Sequence, residues 1–141
     1  MFHILKQIAT FSAELTELRA MLDWIRNLLS EAGYLSATIR NVELASEEAL
    51  VNIVRHAYKQ GKGEIEIQAE IFPKNRVEIA ILDKGPPFNP LLEEKEIDTM
   101  LPLEEREEGG LGILLIREYM DEVLYKRERG SNVLILIKKY P

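Results

Sequence analysis

The side chains best suited to chemistry in this sequence are Glu48 and Asn52, four residues apart in the segment EEALVNIVRHAY. Residues four apart on an α-helix project from one face, so a carboxylate and a carboxamide here can reach a single ligand. The stripe of the helix that carries both side chains is flanked by apolar residues rather than by other charges, which withdraws Glu48 partly from water and suits it to act as a general base. The alternative is a surface role, in which Glu48 forms an ion pair with Arg55 or Lys59.

A second candidate group is Asp83, which ends an apolar run and is followed by Gly85, two prolines and Phe88. An acid at the end of a buried strand, followed by a glycine turn, is a favourable geometry for a ligand site. The alternative is an ordinary strand-ending turn, because aspartate and glycine are favoured there for backbone reasons alone.

A glycine run forms the third candidate group, in the sequence Gly109-Gly110-Leu111-Gly112 just before a helical segment. Glycines that open a helix let backbone N–H groups approach an anion, and the helix dipole favours negative charge at that end. The run therefore predicts a phosphate site, although a steric reason for the glycines is the alternative. The acidic segment 89–108 before it is predicted to be a loop of the length that forms lids.

These groups must be positioned by three helices and five strands. Helical spacing of apolar residues predicts one helix from an N-cap at Ser12 to a stop at Gly33, a second from about Ser36 to Tyr58, and a third over 113–120. An alternating pattern predicts a strand over 65–71, and mainly apolar or mixed runs predict an edge strand over 2–9 and further strands over 77–82, 122–127 and 131–138. Because the later strands arrive in pairs, the predicted fold is an α+β two-layer sandwich with the helices on one face of a mixed, mainly antiparallel sheet.

Composition limits the classes of function. The chain has 141 residues, 46% of them apolar and 30% charged, which predicts a single globular domain over 1–141. Its net charge of −6 argues against direct binding of nucleic acid. The absence of cysteine excludes disulfides and thiol chemistry, and no apolar run reaches the roughly 18 residues of a membrane span. We therefore expect a cytoplasmic protein that binds neither nucleic acid nor membrane.

The three candidate groups, in this order and spacing, resemble the histidine-kinase-like (GHKL, Bergerat-fold) ATPase superfamily that includes MutL and gyrase B. The segments EEALVNIVRHAY and EGGLGILLIREYMDEV resemble more particularly the RsbW-type anti-sigma factor serine/threonine kinases of bacteria. The resemblance covers nearly the whole chain, and the three groups together are specific although each alone is not.

The resemblance implies a role for each matched residue. It implies that Glu48 is the catalytic base and that Asn52 binds Mg²⁺ as well as ATP. Asp83 matches the acid that accepts a hydrogen bond from the adenine amino group, and Gly85 matches the residue that lets the backbone approach the base. Phe88 is the last matched residue of this group and is also expected to bind ATP.

The phosphates of ATP are expected at the glycine run. The resemblance implies ATP-binding roles for Gly109, Gly110, Leu111 and Gly112, with the glycines wrapping the phosphates. Arg55 and Arg106 are the cations expected near them.

The implied function is an ATP- and Mg²⁺-dependent serine/threonine kinase that acts as an anti-sigma factor. Its implied partners are an anti-anti-sigma protein with a STAS domain, which accepts the phosphoryl group, a sigma factor, which it sequesters, and a second copy of the chain in a homodimer. Two alternatives stay open: a nucleotide-binding regulatory protein without phosphotransfer activity, and a detached histidine-kinase catalytic domain.

Overall fold

Five antiparallel strands form one sheet in this computed structural model, which describes residues 3–58, 62–93 and 110–141. The strands are β1 (Leu5–Ser12), β2 (Glu64–Phe72), β3 (Arg76–Asp83), β4 (Glu122–Glu128) and β5 (Ser131–Lys139). Their order across the sheet is β1-β2-β3-β5-β4. Every ladder between these strands is antiparallel, so the prediction of a mixed sheet was wrong in that detail.

Three helices pack on one face of this sheet: α1 (Leu18–Glu31), α2 (Ser36–His56) and α3 (Gly110–Tyr119). The alternation of β2 explains the layering, because Ile65 and Ile67 are buried while Glu66 between them stays partly exposed. The buried isoleucines join Met21 of α1 and Leu50 of α2 in one apolar core. The two-layer α+β sandwich is therefore confirmed. No helix in the three described ranges is long and apolar enough to cross a bilayer.

The start of the chain differs from the prediction. Ser12 does not cap a helix; it is the last residue of β1 and pairs with Glu64 of β2. The ladder with β2 takes up the backbone of this segment as strand, and a short 3₁₀ turn then leads into α1, whose N-cap residue Glu17 makes no capping side-chain bond. The stop at Gly33 is confirmed, since this residue has the left-handed φ of 84° typical of helix ends.

The pairing of β3 with β5 brings two distant polar residues together. β3 lies at the centre of the sheet, as its apolar sequence predicts, and Asp83 at its end is directly opposite Asn132 near the start of β5. Both side chains are buried. This register positions the turn after β3 against the first residues of β5.

Candidate active site

A cavity of about 230 Å³ opens between α2, the turn after β3, and α3. These are the three elements that carry the candidate groups found in the sequence. The walls are mainly apolar, with Ile53, Ile113, Ile116 and Leu134 among them, and the polar side chains that reach the cavity from the described residues are those of Asn52, His56, Asp83 and Asn132. A mostly apolar cavity with a few convergent polar groups is the usual form of a small-molecule site.

Glu48 and Asn52 converge on Gly112 in the first turn of α3. A β-carbon at Gly112 would lie 3.0 Å from Glu48 Oε2 and 3.7 Å from Asn52 Nδ2. Glycine thus lets the start of α3 approach Glu48 closely, because a β-carbon here would press on the Glu48 carboxylate. Asn52 lines the cavity, and Glu48 lies one helical turn earlier in α2. The carboxylate and the carboxamide thus meet the start of α3 at one edge of the cavity.

The turn after β3 is shaped by the Asp83 carboxylate. Asp83 Oδ1 accepts hydrogen bonds from the backbone N–H of Gly85 at 2.9 Å and from Nδ2 of Asn132 at 3.0 Å. The first bond closes a local turn in which an aspartate side chain bonds the backbone two residues later. Asp83 is only 6% exposed, yet it lines the cavity. The carboxylate is thus held in one orientation at the cavity wall.

Gly85 allows this turn to pack against the end of α2. A β-carbon on Gly85 would lie 2.8 Å from the carbonyl oxygen of Ala57 and 2.9 Å from its β-carbon. Contacts this short require the backbone to move, so only glycine fits. The structure thus gives Gly85 a packing reason, while its predicted approach to a nucleotide base stays a prediction.

Two further side chains tie the turn to the sheet. Arg127 of β4 donates a hydrogen bond to the carbonyl oxygen of Gly85 at 2.8 Å. The hydroxyl of Tyr58 accepts a bond from the backbone N–H of Lys84 at 2.7 Å and donates one to the carbonyl oxygen of Glu64 at 2.8 Å. The turn is therefore fixed from both of its flanks.

Comparison with known proteins places this geometry in a family. Residues 11–138 match the family described as the histidine kinase-like ATPase domain. The serine-protein kinase RsbW of Bacillus subtilis (strain 168) is 32% identical over 120 residues, which cover 82% of this chain and 73% of that protein. RsbW of Bacillus thuringiensis (strain Al Hakam) is 35% identical over 106 residues, which cover 73% of this chain and 66% of that protein. The chain belongs to the RsbW-type serine-protein kinases of this ATPase family.

Solved structures of other proteins have the same fold as this kinase. The RsbU and RsbW domains of a Mycobacterium tuberculosis protein match 97% of this chain and 33% of that chain, with a TM-score of 0.68 and 18% identity. A blue-light activated histidine kinase of Erythrobacter litoralis matches 87% of this chain and 42% of that chain, with a TM-score of 0.58 and 16% identity. The layered sheet and helices are therefore those of histidine kinase-like ATPase domains.

The remaining predicted site residues of this RsbW-type kinase differ in where they lie relative to the cavity. Phe88 lines the cavity and is 48% exposed. Arg55 is exposed near the C-terminal end of α2 and is not among the described cavity-lining residues, so its role near phosphate stays a prediction. Gly110 and Leu111 form the start of α3, while Arg106, Gly109 and most of the proposed lid lie outside the described residues.

Sequence reasoning missed Asn132, Tyr125 and Arg127, which support the turn after β3 in this RsbW-type kinase. The signal for Asn132 was present, because it is a polar residue beside the apolar run of the last strand. It could have been recognised only by knowing that β5 pairs with β3, so that residue 132 lies opposite residue 83.

Proposed function

We propose that the chain transfers the γ-phosphoryl group of ATP to a serine or threonine hydroxyl of a partner protein, in the cleft between α2, the turn after β3, and α3. The observation that carries the proposal is the convergence of the Glu48 carboxylate and the Asn52 carboxamide on Gly112, beside a cavity whose wall holds Asp83. Membership of the RsbW-type kinases supports the choice of hydroxyl acceptor.

Asp83 recognises the base in this proposal. Its Oδ1 atom is occupied by two donors, and no donor to Oδ2 occurs among the residues that the structure describes. A free carboxylate oxygen at the cavity wall accepts a hydrogen bond from an amino group, which adenine carries at C6. The apolar residues around it, such as Ile53 and Leu134, match the faces of a purine ring.

The donors present also suit a magnesium ion. Mg²⁺ takes hard oxygen ligands and usually binds proteins through one or two side chains together with substrate phosphates. The side-chain oxygen of Asn52 is such a ligand, and the Asn52 carboxamide lies beside the start of α3, where the first N–H groups of a helix favour phosphate. When bound, Mg²⁺ neutralises the charge on the phosphates of ATP.

Glu48 performs the proton transfer in the proposed reaction. The acceptor hydroxyl oxygen forms a bond to the γ-phosphorus while the bond from that phosphorus to the β–γ bridging oxygen breaks, and ADP leaves. The hydroxyl proton passes to the Glu48 carboxylate, which later releases it to water. A positioned general base of this kind contributes about 10²- to 10⁴-fold to the rate. Gly112 gives Glu48 the space to occupy that position.

The partners and location are proposed because the chain belongs to the RsbW-type kinases. The phosphoryl acceptor is an anti-anti-sigma protein with a STAS domain, the second partner is a sigma factor that the kinase sequesters, and the kinase acts in the cytoplasm as a homodimer. These partners belong to transcription regulation.

The test compares the wild type with Glu48→Gln, which retains the size and hydrogen-bonding capacity of the side chain but cannot accept the proton. We expect phosphotransfer from γ-labelled ATP to the acceptor protein to fall by about 10²- to 10⁴-fold, while the Kd for ATP changes little. A variant that transfers phosphate at the wild-type rate would exclude Glu48 as the base. Wild-type protein that binds ATP but transfers nothing would favour a regulatory protein without phosphotransfer, and an acid-labile product would favour a histidine acceptor.

A further inference from the structure

Asn132 uses every hydrogen-bonding position of its side-chain amide. Nδ2 donates to Asp83 Oδ1 at 3.0 Å and to the carbonyl oxygen of Pro86 at 2.9 Å. Oδ1 accepts from the backbone N–H of Phe88 at 3.1 Å and from the hydroxyl of Tyr125 at 2.6 Å. The side chain is only 6% exposed. Asn132 therefore links the first, middle and last residues of the turn after β3.

This set of partners fixes the orientation of the amide. A rotation by 180° would place the amide oxygen against the Asp83 carboxylate and the Pro86 carbonyl, and the amide nitrogen against the N–H of Phe88. Each of these contacts would join two acceptors or two donors in a buried site, which is unfavourable. The Tyr125 hydroxyl of β4 holds the amide in place by a fourth hydrogen bond, although a hydroxyl could also accept from a rotated amide.

The fixed amide determines what Asp83 can offer a ligand. Because Asn132 and the N–H of Gly85 both donate to Oδ1, the carboxylate cannot turn that oxygen freely toward the cavity. The other oxygen, Oδ2, is then the acceptor that reads the base. A 6-amino purine presents a donor to it, whereas a 6-oxo purine presents a second acceptor.

We propose that Asn132 is a positioning residue that sets the selectivity of this kinase for 6-amino purines, by orienting Asp83 and the turn that follows it. The inference rests on the proposed use of ATP. Asn132 acts through Asp83, and Tyr125 acts on Asn132 in turn. Phosphotransfer itself depends on Glu48, which lies on another element, so Asn132 governs base recognition and not the chemical step.

The experiment measures the Kd of two nucleotides without any acceptor protein: ATP, and purine riboside 5′-triphosphate, which has hydrogen in place of the 6-amino group. We expect the wild type to bind ATP about tenfold or more tightly than the analogue. Asn132→Asp keeps the size of the side chain but removes both donors, so we expect the ratio to collapse to within about twofold of unity. Asn75→Asp is the matched control, since it adds the same charge in the β2–β3 turn and should preserve the wild-type ratio.

The ratio of the two Kd values distinguishes a positioning role of Asn132 from a general destabilisation of the fold. A destabilised protein loses affinity for both nucleotides by the same factor, so Asn132→Asp with an unchanged ratio would overturn the inference. A wild type that does not discriminate between the nucleotides would overturn it too. If Asn132→Asp lacks a cooperative unfolding transition, Tyr125→Phe serves instead: a ratio about two- to fivefold smaller supports the inference, and an unchanged ratio refutes it. Failure of the proposed phosphotransfer would leave this binding ratio intact.

Discussion

Replacing Gly112 with alanine should slow phosphotransfer without weakening the fold. The new β-carbon would lie 3.0 Å from Glu48 Oε2, whereas ordinary contacts begin near 3.4 Å, so the carboxylate must retreat by about 0.4 Å. A misplacement of about 1 Å can lower a rate by about 10²-fold, so on a logarithmic scale 0.4 Å corresponds to roughly sixfold. Alanine also favours helix over glycine by up to about 1 kcal/mol, which should leave Tm unchanged or raise it by roughly 2–5 °C.

The assay is single-turnover transfer from γ-labelled ATP to the acceptor protein, together with a thermal melt and the Kd for ATP. A double-mutant cycle isolates the cause: in a Glu48→Ala background, Gly112→Ala should produce no further decrease, because the carboxylate that it displaces is gone. Wild-type turnover by Gly112→Ala would refute the reasoning. An equal decrease in the presence and absence of Glu48 would also refute it, since the effect would then arise elsewhere.

Three further predictions follow from the same contacts. Asp83→Asn should weaken ATP binding about 10- to 100-fold, as measured by titration calorimetry, with little change in Tm. The amide oxygen can still accept the hydrogen bonds from the turn, whereas the amide nitrogen is a donor that faces the adenine amino group. An unchanged Kd for ATP would show that Asp83 does not recognise the base. Gly85→Ala should lower the free energy of unfolding by about 1–3 kcal/mol, because its β-carbon would lie 2.8 Å from the carbonyl oxygen of Ala57; a denaturant melt that matches the wild type would contradict this packing. Burial raises the pKa of Tyr34 from 10.0 to about 12, so the stability that the neutral phenol provides is complete below pH 10 and is lost as the pH rises through 12. Relative to Tyr34→Phe, the wild type should lose unfolding free energy over that range, and parallel pH profiles of the two proteins would disprove it.

The sequence predicted the helix that carries Glu48 and Asn52 because apolar residues recur there at helical spacing. It predicted the hairpin of β2 and β3 because β2 alternates in polarity and β3 is a short, mainly apolar run. It also predicted that an acid at residue 83 would end a buried strand. These are local patterns, and they covered most of the fold and the three groups of the site.

The contacts that complete the site depend on long-range pairing. Asn132 bonds Asp83 and Phe88, which are 49 and 44 residues away in the chain. Only the ladder between β3 and β5 brings them together, and no local pattern specifies its register. The prediction that Ser12 caps a helix was wrong because of long-range pairing as well. Its hydroxyl suits a helix cap, but its backbone pairs with Glu64 of β2, which is distant in the sequence.

The most direct test of the account is a map of backbone amide chemical shifts as a non-hydrolysable ATP analogue and Mg²⁺ are added. The account predicts that the largest changes fall on Asn52, Gly85, Phe88 and Gly112, which belong to the three elements around the cavity. Residues such as Gln68 on the opposite face of the sheet should not respond. Shifts concentrated on that opposite face, with the four cleft amides unchanged, would contradict the account.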